Sequence, residues 1–110
     1  MQLFVYSVAL SALSLVGPLA RVIARSDRDL ARQLRRASTS VLLNLGEADG
    51  VCDGNRRLRF ETARGSSSEV IACLDAAAAL GYVEPASILA AKDGFDHTGR
   101  MITKLLRSGR

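Results

Sequence analysis

Residues 26–48 read SDRDLARQLRRASTSVLLNLGEA, and this stretch decides the fold class. Leu30, Leu34, Ala37, Val41 and Leu45 recur at steps of three and four, the spacing that lays apolar side chains along one face of an α-helix. Arg28, Arg32, Arg35 and Arg36 fall on another face. Ser26-Asp27-Arg28-Asp29 reads as the helix start. Ser26 is the expected acceptor for the backbone of Asp29, and the two aspartates suit the positive end of the helix dipole. The helix is expected to end near Ala48.

Outward from this segment the same period continues. Asp49-Gly50 through Gly54-Asn55 carries turn residues and reads as a short loop. A third helix is expected over about Asn55 to Leu80, with Phe60, Ala63, Ser67, Val70, Ile71, Leu74, Ala77 and Ala78 as its apolar stripe. Gly81 follows where a left-handed C-cap belongs. Pro85 fits the first turn of a fourth helix, because the donor it lacks has no intrahelical partner there. Ile88, Ala91, Phe95, Thr98, Ile102 and Leu105 line that helix up to about Leu106. N-terminal to residue 26, Leu3 to about Ala24 reads as a helix that is apolar almost all round, hence heavily buried, with a kink or break at Gly17-Pro18. Four helices joined by short connections predict an all-α, antiparallel up-down four-helix bundle.

Composition agrees. The chain has 110 residues, a length that closes one core and points to one domain, residues 1–110. It is rich in Ala and Leu, has no Trp and only two prolines, and shows none of the regular turn signals of an all-β chain. The net charge is +4, and thirteen of the fifteen basic residues are Arg, whose planar fork suits phosphates and carboxylates. The same arginines also suit ordinary solvated faces. Cys52 and Cys73 stand apart with no CxxC. Cys73 reads as a small core residue, Cys52 as a loop residue, and a reduced, cytoplasmic setting is expected. The first twenty residues carry no charged side chain, but Met1-Gln2-Leu3 supplies no basic start for a signal peptide. Ser7, Ser11, Ser14, Gly17, Pro18 and the early Arg21 argue against a membrane span, so no membrane partner is expected.

No catalytic pattern emerges. His97 is the only histidine and has no nucleophile in an elbow context, and HExxH, Walker and GxGxxG motifs are absent from the sequence. The carboxylates do not form the ExxH pairs of a di-iron bundle. Neither an enzyme nor a metal or other cofactor is expected. Two constellations remain. Arg36, Ser40, Asn44 and Glu47 share one helical face, either as a recognition surface or as a structural polar network that fixes helix register, with Ser40, Asn44 and Glu47 as its members. Arg56, Arg57, Arg59 and Arg64, joined by Arg28, Arg32, Arg35 and Arg36 of the second helix, either form a basic face for RNA or DNA phosphates or a solvated face partly paired with Asp49, Asp53 and Glu61.

Gln33-Leu34-Arg35-Arg36-Ala37, then Ser40-Val41 and Asn44-Leu45-Gly46-Glu47-Ala48, resemble the second-helix signature of the four-helix-bundle proteins encoded in 23S rRNA intervening sequences. Arg57-Leu58-Arg59-Phe60 followed by Ala63-Arg64-Gly65-Ser66 and Glu69 is similar to the signature of their third helix, and Leu80-Gly81-Tyr82 to its ending. Gly46 and Ala48 reverse the family's usual order after Asn44, and the first helix is more apolar than its counterpart. The resemblance spans about Tyr6 to Leu106. It implies a left-handed antiparallel bundle assembling as a homopentamer, often around a central pore, and the rRNA setting suggests association with nucleic acid. A related family, the accessory protein of diversity-generating retroelements, resembles a basic pentameric barrel that binds a reverse transcriptase and nucleic acid. That likeness implies the alternative role of an accessory or scaffold subunit for a protein partner.

Overall fold

A computed structural model describes residues 3–50 and 53–108, and every element in it is helical. The helices are α1 (Phe4–Ser14), α2 (Val16–Ala24), α3 (Arg28–Gly50), α4 (Asp53–Ala79) and α5 (Leu89–Ser108), the last preceded by a 3₁₀ turn over Pro85–Ile88. The kink or break expected at Gly17-Pro18 falls two residues earlier, at Leu15, and divides the apolar run into two helices. Pro18 has no N–H to offer the Ser14 carbonyl, so the chain tightens there and the Leu15 N–H bonds to Ala12 O at 3.1 Å. α1 and α2 still run on as one rod.

The helix ends show where local chemistry prevails. Asp27, rather than Ser26, caps α3: its Oδ1 accepts the Leu30 N–H at 2.9 Å, and its carbonyl accepts from Ala31. Ser26 is used up closing the preceding turn, its N–H bonded to Ile23 O. α3 runs on to Gly50 and α4 starts at Asp53, so the expected loop over 49–55 is shorter than its turn residues suggest. The reading of Cys52 falls outside the described residues. Gly81 takes φ +80 and closes α4 as expected: its N–H bonds to Ala78 O, and that of Tyr82 to Ala77 O. These two bonds satisfy carbonyls left over at the helix end, and the positive φ favours glycine. Pro85 begins the 3₁₀ turn, with Ser87 donating to Glu84 O from both its N–H and its hydroxyl, and regular α-helix follows only from Leu89.

The rods pack as a bundle 43 × 21 × 19 Å, about as long as α4 alone at 1.5 Å per residue. α3 and α4 share the largest interface. α5 packs on α4 and α1, and the α1–α2 rod packs on α3. α1 and α4 share no substantial interface, which puts them on one diagonal of the bundle. Leu34, Val41, Leu45, Val70, Leu74, Phe95 and Ile102 are fully buried at its centre, and truncating one of the leucines to Ala costs about 2–5 kcal/mol. On α5 the buried residue of the last turn is Leu106, four residues after Ile102 on the same face, with Leu105 half-buried beside it. Gly94 is where α5 meets α1. A Cβ there would lie 2.7 Å from Ala12 Cβ, so only glycine permits this approach.

The first rod departs most from expectation. Val5, Ala9, Ala12, Val16, Ala20 and Ile23 are buried along one stripe, but Phe4, Leu10 and Leu15 remain 71%, 48% and 40% exposed. Phe4–Ala24 is long and apolar enough to cross a membrane, and only about a quarter of it (28%) is buried in the bundle. A four-rod bundle can cover only the inward side of a helix, whatever the composition of the other side.

Candidate nucleic-acid interface

The seam between α3 and α4 gathers the polar residues of both signatures. Ser40 Oγ lies 2.9 Å from Ser66 Oγ across the helix pair. Asn44 Nδ2 donates to Ser40 O at 2.9 Å and to Ser40 Oγ at 3.2 Å. Arg59 completes the chain, donating to Asn44 Oδ1 at 3.3 Å and pairing with Glu47 Oε1 at 3.0 Å. Ser40, Asn44 and Glu47 are therefore joined by Arg59 and Ser66 into one α3–α4 network. Arg36 lines an open polar groove of about 410 Å3 with Gln33, Ser40, Ser66 and Glu69.

The eight arginines singled out in the sequence fall into two groups. Those of α4 are occupied internally. Arg56 donates to Ala48 O at 3.3 Å, a carbonyl of the last turn of α3, and stacks its guanidinium 5.2 Å from the Phe60 ring centroid. Arg57 donates to Leu106 O at 3.2 Å at the end of α5 and pairs with Glu61 at 3.5 Å. Arg64 reaches Thr103 Oγ1 at 3.2 Å. Of the acidic partners expected for this group, Glu61 is in place, while the side chain of Asp53 falls outside the described residues.

The arginines of α3 are exposed. Arg28, Arg35 and Arg36 make no ion pair or side-chain hydrogen bond among the described residues. Arg32 pairs only with Asp29, at 3.1 Å, with both side chains largely in water (67% and 85% exposed), an arrangement worth little. Sequence reasoning missed Arg21 and Arg25, which are exposed at the end of α2 and join the α3 group. The signal was present in their place immediately before the α3 cap. Residues 21–36 hold six arginines against two aspartates, an excess of four that equals the whole net charge of the chain, and the rest balances at nine bases and nine acids. An open depression of about 670 Å3 at the α2–α3 corner is lined by Arg25, Arg28 and Arg32 together with Ser26, Asp27 and Asp29. Exposed, unpartnered guanidinium groups in such a corner can take phosphate oxygens in a bidentate way without breaking an existing contact.

Two other titratable groups are perturbed. Burial pushes the Cys73 thiol up, with Glu69 adding to it. Burial also raises the Tyr82 hydroxyl, helped by the nearby Asp27 carboxylate. His97 is exposed on α5, beside the Asp96–Arg100 pair. Among the described residues no three His, Cys, Asp or Glu side chains converge as a metal site would require.

The crystal structure of a protein with unknown function from the S23 ribosomal protein family of Bacteroides thetaiotaomicron superposes with a TM-score of 0.85, covering 93% of this chain and 97% of that one at 13% identity. At that identity the likeness speaks for the fold. No curated protein matches the chain. The family model described as 23S rRNA-intervening sequence protein matches residues 2–104, almost the whole sequence. By that match, this chain belongs to the 23S rRNA-intervening sequence protein family.

Proposed function

We propose that this chain is a non-enzymatic, homo-oligomeric four-helix-bundle protein that binds nucleic-acid phosphates through the exposed arginines of the α2–α3 corner and of the following turns of α3. One observation carries the reading: the entire net charge of +4 resides in residues 21–36, on side chains that are exposed and, Arg32 apart, lack partners among the described residues. Polyanion binding needs free positive charge concentrated on one face, since displaced counterions supply much of the affinity. Arg28, Arg32, Arg35 and Arg36 are the primary contacts, with Arg21 and Arg25 beside them. Arg56, Arg57, Arg59 and Arg64 serve mainly to hold helix ends and the α3–α4 seam, where Ser40, Asn44 and Glu47 fix register.

The antiparallel up-down order is supported by the pairs that meet between rods. Arg57 and Arg64 early in α4 reach Leu106 and Thr103 late in α5, and Asp75 late in α4 pairs with Lys92 early in α5. The pentameric assembly rests on the family likeness. RNA binding by fluorescence anisotropy, repeated as salt is raised from about 50 to 200 mM, tests the function. With about four phosphates neutralised, affinity falls on the order of 100-fold over that range. An affinity indifferent to salt overturns the reading.

The second reading, an accessory subunit for a protein partner such as a retroelement reverse transcriptase, is favoured by the large exposed side chains Leu43, Leu58, Leu80 and Leu89. Under it, partner capture survives charge reversal at Arg28, Arg35 and Arg36, because apolar contacts carry the affinity.

A further inference from the structure

The polar groove between α3 and α4 holds two groups that phosphate binding leaves unused, Gln33 and Glu69. On α3, Gln33, Arg36, Ala37 and Ser40 are spaced at three, one and three, so they form one stripe along the groove; Ser66 and Glu69 of α4 line its other wall. The Ser40–Ser66 hydrogen bond of 2.9 Å ties the helices together at one end. Ala37 is buried and puts no bulky side chain in the way. About 410 Å3 of open space lies between the walls. Small-molecule sites commonly enclose roughly 300–1,000 Å3.

Arg36 and Glu69 face the same groove with opposite charges, yet neither makes an ion pair or a side-chain hydrogen bond among the described residues. Gln33 is likewise exposed and makes no such bond. A groove suited to phosphate alone would not carry the open carboxylate of Glu69, which repels an anion. The chemistry asks instead for a ligand with N–H donors toward Glu69 and acceptors toward Arg36, which an unpaired nucleobase supplies. Guanine fits best. Its N1–H and N2 amino group are adjacent donors that can meet both oxygens of one carboxylate, and its O6 and N7 take the fork of an arginine. Adenine and cytosine set a ring acceptor beside their amino group, and uracil has one N–H.

The groove also continues the basic row of α3. Arg28, Arg32 and Arg36 follow one another at steps of four residues, about 6 Å apart along the helix axis. Arg28 and Arg32 line the corner depression and Arg36 the groove. A strand with its phosphates on Arg28 and Arg32 therefore carries its next base toward Arg36 and Glu69. With five N–H donors, Arg36 can serve a phosphate and a base edge together.

We propose that this groove seats an unstacked guanine of a single-stranded nucleic acid, with Glu69 on its N1–H and N2 amino group and Arg36 on its O6 and N7. The proposal rests on the phosphate-binding reading above and adds base selection to it. The strand is single because pairing with cytosine in a duplex already engages N1 and N2.

Fluorescence anisotropy with four short uridine-rich RNA strands, differing only in G, A, C or U at one central position, tests this. The G strand is expected to bind about tenfold more tightly than the others. Inosine in place of that guanosine lacks only the N2 amino group and is expected to lose most of the advantage. Glu69→Gln changes an exposed side chain and does not threaten folding. It is expected to abolish the preference for G while affinity for the U strand and its salt slope stay at wild-type values or rise slightly. Wild-type chain that binds all four strands alike, with steep salt dependence, overturns the guanine site and leaves the phosphate reading standing. Preference for another base, or a preference for G that survives Glu69→Gln, overturns the site as well. Failure to bind any strand at low salt overturns the phosphate reading and this site with it.

Discussion

The arginines of α4 and those of the α2–α3 corner look alike in the sequence and do different work in the fold. Arg56 and Arg57 lie where helices end, within reach of the Ala48 and Leu106 carbonyls in the last turns of α3 and α5. Arg59 lies opposite Asn44 and Glu47 across a helix seam. Arg28, Arg35 and Arg36 face outward and make no ion pair or side-chain hydrogen bond among the described residues. The difference teaches that a run of arginines acquires a function from the acceptors around it. A guanidinium already engaged must give up a contact to take a phosphate, and a free one need not.

The largest effect that separates the two groups is expected in RNA affinity. Replacing Arg28, Arg35 and Arg36 together by Gln should weaken binding by about 100-fold and lower the salt slope by roughly three, with anisotropy as the readout. The same variant should melt within about 0.5 kcal/mol of wild type, as surface substitutions do. The reverse pattern is expected on α4. Arg57→Ala with Arg59→Ala should cost about 1–2 kcal/mol in urea unfolding, because a helix-end carbonyl and the Asn44–Glu47 pair lose their donor, while RNA affinity changes little. An α4 double variant that binds far more weakly at unchanged stability would erase the distinction.

Alkaline titration sharpens it further. The Tyr82 hydroxyl is held above its ordinary value of 10.0 by burial and by Asp27, so folding favours the neutral form. Its contribution is present in full below pH 10 and is lost as pH rises through the elevated folded value. Stability should therefore fall above pH 10, and Tyr82→Phe should flatten part of that fall. Cys73, raised from 9.0 in the same direction, adds a fall of its own above pH 9 and is separated by Cys73→Ala. The smallest effect is expected at Arg32, whose exposed pair with Asp29 should be worth no more than about 0.5 kcal/mol when Arg32→Ala is measured by thermal melting.

Much of this fold was legible in the sequence because burial imposes a period. The stripe from Leu34 to Leu45 on α3, that from Ala63 to Ala77 on α4, and the end of α4 at Gly81 follow from apolar spacing and from the one residue that takes φ +80 readily. Helix starts and the first rod were less legible. Ser26 and Asp27 are both good caps, and which one serves depends on where the preceding helix releases the chain. A rod that is apolar all round does not say which face meets its neighbours, so the exposure of Phe4, Leu10 and Leu15 had to come from the packing. The candidate site divides in the same manner. The sequence marks eight arginines, but whether a carbonyl or carboxylate lies within about 3 Å of each is a tertiary fact. Ser66 and Arg59 enter the Ser40–Asn44 network only once α3 and α4 are side by side.

The most direct test of the central claim is the slope of log affinity against log salt for wild-type chain and a short RNA, measured beside the Arg28, Arg35 and Arg36 variant. The account predicts a steep negative slope for the wild type, near −0.7 to −0.9 per phosphate neutralised, and one shallower by roughly three for the variant. Two parallel lines, or no binding by the wild type at low salt, would contradict it.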